Sequence, residues 1–186
     1  MVSFSQLWLP IVLSAVFVFV ASSLIHMVFK WHASDYRALS NEDEVRAAIR
    51  KASPEPGQYV LPHCPGMKDM EKPEVQQKYQ DGPVGFLVLA PNGVPAIGKC
   101  LGQWFLYALA VAFMAAYLAS RTLPPHTHYL QVFRVVGTVS FLTYAGGSVS
   151  LGIWMGKPWS SVLKDLLDGL IYGLLSAGAF GWLWPR

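Results

Sequence analysis

The stretch from Ser160 to Trp184, SSVLKDLLDGLIYGLLSAGAFGWLW, constrains the fold more than any other. It is apolar and long enough to cross a bilayer as a helix, which takes about 20 residues at a rise of about 1.5 Å each. On a helix, Asp165, Gly169, Gly173, Ala177 and Gly181 recur every fourth residue. They make a narrow ridge with almost no side chains, headed by a carboxylate. Lipid gives apolar helices little reason to prefer one another, so membrane helices associate by close packing, which small ridges permit. Asp168 lies one turn from Asp165, near the edge of the apolar zone. An ionisable group at that depth needs a partner or water. The other helices are expected to assemble around this one.

Hydrophobic residues make up 53% of the chain and charged residues 13%, against about 25% charged in a soluble domain. The deficit is concentrated in four segments, near 7–29, 102–120, 132–154 and 161–184. The first has no Lys or Arg before it and no A-x-A site after it, so it is expected to be a helix of the mature protein rather than a signal peptide. Pro10 falls in its first turn, and Ser14, Ser22 and His26 share one face, continued by Lys30. Ala108, Ala112, Ala116 and Ser120 form a second small ridge. Ser148, Gly152 and Gly156 form a third, in the most polar segment, where Gly146-Gly147 weakens the helix. Ser160 or Ser161 is the expected N-cap of the last helix.

Residues 30–100 form a polar insert. Ser40 reads as the N-cap of a helix that begins with Asn41, Glu42, Asp43 and Glu44 and ends near Ala52. Residues 58–61 read as a strand and 73–80 as a short helix. Residues 84–89 read as a second strand, joined by Pro91-Asn92-Gly93 to a weak return strand over 94–97. The expectation is an all-α membrane protein. A single membrane domain over 1–186 forms a four-transmembrane-helix bundle, with a small α+β insert between helices 1 and 2.

Lys30, Arg37, Arg46, Lys99, Lys157 and Lys164 fall on the insert side, against Arg121, Arg134 and Arg186 on the other. The positive-inside rule therefore predicts a cytoplasmic insert and both termini outside. The net charge of +3 is explained by these loop residues. No basic face with interleaved aromatics points to nucleic acid.

Four helices in this order bring His26, Lys30, Gln103, Lys164, Asp165 and Asp168 to similar depth. Such a group is either a polar fastener between helices or a site for a proton, a cation or a small polar ligand. His63-Cys64-Pro65 resembles a short haem-regulatory motif, and His126-Thr127-His128 could offer two metal ligands. Both are weak candidates that read more simply as turns, so no metal or cofactor is expected there. Cys64 and Cys100 make no disulfide framework. Phosphate-loop, dinucleotide, zinc-protease, nucleophile-elbow and C-x-x-C patterns are all missing, and no residue stands out as catalytic. The reading is a non-enzymatic accessory or scaffold subunit of the membrane, alone as a homo-oligomer or in a larger complex. The alternative is a small oligomeric transporter or an ion- or proton-binding protein using Asp165, Asp168 and His26.

The stretches EVQQKYQDGPVGFLVLAPNG, GQWFLYALAVAFMAAYLASRTL and GKPWSSVLKDLLDGLIYGLLSAGAFGWLWP resemble parts of hypothetical small polytopic bacterial inner-membrane proteins. The resemblance covers most of the chain. It implies a bacterial inner membrane and carries over no activity and no functional residue.

Overall fold

The computed structural model describes residues 2–186. The chain divides into two compact units, one of residues 2–36 with 96–186 and one of 37–95. The first is helical. Helix α1 spans Trp8–Ser23 and continues as a π-helical turn over Leu24–Phe29, followed by a 3-10 turn over Trp31–Asp35. Helices α4 (Ile97–Thr122), α5 (Tyr129–Met155) and α6 (Trp159–Trp182) complete it. The second unit holds α2 (Glu42–Ala52), β1 (Gly57–Leu61), α3 (Pro73–Asp81) and β2 (Gly85–Leu89).

Among the described residues, three helices are long and apolar enough to cross a membrane: Trp8–Phe29, Ile97–Thr122 and Tyr129–Met155. They mark a membrane protein. Helix α6 is outside this set because its first turns carry Lys164, Asp165 and Asp168.

The four long helices close a ring, with α1 against α4 and α6, and α5 against α4 and α6. The α5–α6 seam is built from the expected ridge. A Cβ on Gly169 would sit 2.6 Å from Ala145 Cβ and 3.1 Å from its backbone nitrogen. One on Gly173 would sit 3.2 Å from the Gly137 carbonyl oxygen, and Ala177 fits the space left by Gly137. Gly181 lies against the Tyr129 ring. Backbones this close leave no room for larger residues, and the every-fourth spacing exists to allow that approach. From α5, Ser148 and Gly152 lie on the seam, facing Asp165 and Val162. Gly156 is instead the left-handed C-cap of α5, at φ +68. Ala108, Ala112, Ala116 and Ser120 are all buried. With Val111, Ala115 and Ala119 they form a broader face of α4.

Some expectations need correction. The N-caps are Asn41 and Pro158, not Ser40 and not Ser160 or Ser161. Residues 94–97 form no return strand. Instead β2 pairs antiparallel with β1, with Gly57 opposite Leu89 and Leu61 opposite Gly85, and Ile97 opens α4. The Pro91-Asn92-Gly93 turn signal is local, while the strand that β2 pairs with is 24 residues earlier at the nearer aligned pair, Leu61 with Gly85 (85 − 61). Helix α5 runs unbroken through Gly146-Gly147.

Candidate functional site

No residue between 37 and 95 is fully buried, so that unit shields no polar group. The buried polar side chains lie in the helical unit, and the densest group sits where α1 ends and α6 begins. Helix α1 loosens into its π turn, a feature common at functional sites, and this turn carries His26. Lys30 then adopts the left-handed conformation at φ 52, reversing the chain into the 3-10 turn that carries Trp31, His32 and Asp35. The reversal sets His32 beside His26, with ring centroids 4.7 Å apart. From α6, Lys164 and Asp168 are one turn apart and reach the same place.

His32 lies between two carboxylates. Its Nδ1 is 2.8 Å from Asp35 Oδ2 and its Nε2 is 2.9 Å from Asp168 Oδ2. His26 Nε2 lies 3.6 Å from the same Asp168 oxygen. The Lys164 ammonium donates to Asp35 Oδ1 at 2.6 Å, and to the Trp31 carbonyl and the Ser34 hydroxyl, both at 2.8 Å. The lysine bond holds the Asp35 carboxyl down at about 2, more than offsetting the opposite push of burial, and His32 and Ser161 act in the same direction as the lysine. The ionised form of Asp35 is therefore favoured, and its Oδ2 is placed to accept a hydrogen bond from His32 Nδ1.

Asp168 is 5% exposed. Its Oδ1 has no hydrogen-bond partner among the described residues. An unpaired buried acceptor costs about 1–3 kcal/mol, and more when charged. Two carboxylates, Asp35 and Asp168, share this cluster with one ammonium, Lys164, and two imidazoles. One turn deeper, Tyr172 packs with Trp104 and Tyr144 at centroid distances of 6.1 and 5.4 Å. Trp104 donates to Ser22 Oγ at 2.8 Å. This aromatic wall closes the apolar side of the site. The outer side is open at His26, whose side chain is 50% exposed beside a cleft of about 340 Å³ lined by Ser22, Met27, Cys100 and Trp104.

Of the six residues expected to cluster, His26 and Asp168 meet directly and Lys164 supports them through Asp35. Lys30 is the exposed hinge, and Gln103 is exposed on α4. Asp165, one turn away, points into the α5 seam instead and is bound in a separate group by Lys157 and Ser148. His32 and Asp35 are the missed members. Their i,i+3 spacing directly after an apolar segment was the available signal. The weaker candidates do other work. Cys64 Sγ contacts the Gly66 carbonyl, His128 Nδ1 accepts from the Leu130 amide, and the His126 amide donates to the Pro185 carbonyl. His63 is exposed. No family model, curated protein or solved structure matches the chain.

Proposed function

We propose that this chain is a multi-pass membrane protein that crosses the bilayer four times and binds a cation where α1 ends and α6 begins. The fourth crossing would be α6. Its 24 residues make a helix about 36 Å long, enough for a hydrocarbon core of about 30 Å. It packs along α5, which is itself long and apolar enough to cross. The basic residues beside the insert support a cytoplasmic insert, and the sequence resemblance supports a bacterial inner membrane.

One observation carries the binding role. Asp168 is buried with one carboxylate oxygen unpartnered among the described residues, and its other oxygen faces two imidazoles. The Lys157–Asp165–Ser148 group differs: both partners bind Asp165 Oδ2 and that carboxylate is partly exposed, whereas Asp168 Oδ1 is closed off from any partner among the described residues. The α6 ridge packs within the chain, against α5, and so offers no surface to a partner.

The test is thermal unfolding of the whole chain in mild detergent across a panel of mono- and divalent cations. At least one cation should raise the unfolding temperature of the wild type, and Asp168→Asn should abolish that response. Identical unfolding in every cation would refute the binding role.

A further inference from the structure

Resting on that cation-binding reading, we propose that the site takes a divalent transition-metal ion of the zinc class. Its ligands would be His26 Nε2, His32 Nε2 and the Asp168 carboxylate, with Asp35 as the positioning residue. The three ligand atoms lie within 4.8 Å of one another. An ion about 2.0–2.2 Å from each of three tetrahedral ligands holds them roughly 3.3–3.6 Å apart. The His26 Nε2 to Asp168 Oδ2 distance is 3.6 Å and the His32 Nε2 to Asp168 Oδ2 distance is 2.9 Å, and closing the arrangement requires the two imidazole nitrogens to approach from within 4.8 Å. His26, half exposed, is free to make the larger rotation.

The chemistry of the donors selects the ion. Sodium, magnesium and calcium prefer oxygen ligands, whereas two imidazoles with one carboxylate suit zinc and its neighbours. The surroundings fit as well. A metal-bound histidine usually gives its other N–H to a carboxylate, which fixes tautomer and ring orientation. His32 has that partner in Asp35 at 2.8 Å, and Lys164 holds Asp35 in turn. The unpartnered Asp168 Oδ1 provides a second oxygen for the ion. Three protein ligands leave a fourth position for water or an exchanging ligand, the pattern of an open zinc site rather than a closed structural one.

The experiment uses the full chain, free of any affinity histidines, in detergent. Cobalt(II) is added as the spectroscopic probe and zinc(II) as the competitor. The wild type should develop the visible bands of low-coordinate cobalt, and zinc should bleach them. Asp168→Asn and His26→Gln should each weaken zinc binding by roughly 100-fold or more. Asp35→Asn should weaken it roughly 10- to 100-fold, as loss of an outer partner does. His26→Gln removes a half-exposed side chain and should unfold at the wild-type temperature without metal, which separates lost ligation from lost folding. Three results would overturn the inference. If only sodium, potassium, magnesium or calcium stabilises the chain through Asp168 and His26→Gln behaves as wild type, the metal assignment fails while the cation reading stands. If no cation has any effect, both fail. If the bands survive Asp168→Asn but vanish in a Cys64→Ser, Cys100→Ser double variant, the metal sits on the thiols and the assignment is wrong.

Discussion

Asp165 and Asp168 are three residues apart on one helix and lie in opposite environments. Asp165 faces α5, where it is held by Lys157 and Ser148, at the head of a seam of glycines and alanines. Asp168 faces α1, nearly fully buried, with two imidazoles on one oxygen and no partner on the other. The first carboxylate is neutralised by a lysine and spent on packing. The second has its lysine one residue removed, on Asp35. What separates the two acids is the surroundings of the oxygen left over, partly exposed at Asp165 and closed off at Asp168, although both residues lie near the same end of α6.

This contrast can be broken or sharpened by substitution. The largest expected effect is at Asp168. Asp168→Asn keeps the shape and should weaken zinc affinity by at least roughly 100-fold, with a smaller change in unfolding temperature without metal. Calorimetric titration and a thermal scan read the two separately. Next comes Gly169→Ala on the seam. The added methyl meets Ala145 at 2.6 Å, and neither backbone can swing aside. Overpacking of this kind costs about 1–3 kcal/mol, measured by unfolding in detergent, with metal affinity retained in the folded fraction. Asp165→Asn should cost about 1 kcal/mol by loosening the contact with Lys157. Zinc affinity should not move. If Asp165→Asn mimics Asp168→Asn, the two corners are one site and the comparison fails. The smallest effect is at Gly147→Ala on α5, where nothing lies within 4 Å of the added methyl. Stability should be unchanged or raised by about 0.5–1 kcal/mol.

The seam was legible in the sequence because helix packing has a period, and Gly169, Gly173, Ala177 and Gly181 repeat it without interruption. Helix ends followed apolar runs and prolines to within a few residues. Half of the site was legible for a similar reason: His26 and Asp168 fall at matching depth on helices whose directions follow from their order. His32 and Asp35 were not, because their placement depends on a π turn and on the left-handed Lys30, and nothing in residues 24–30 announces either. The pairing of β2 with β1 was hidden by a strong local turn signal at Pro91-Asn92-Gly93. Local chemistry was visible in this chain, while contacts made by reversing the backbone were not.

X-ray absorption at the zinc edge, on the zinc-loaded full chain, tests the central claim most directly. The account predicts a first shell of nitrogen and oxygen only, with the multiple-scattering signature of two imidazoles that falls to one in His26→Gln. A shell containing sulfur, or one with no imidazole signature, would contradict it.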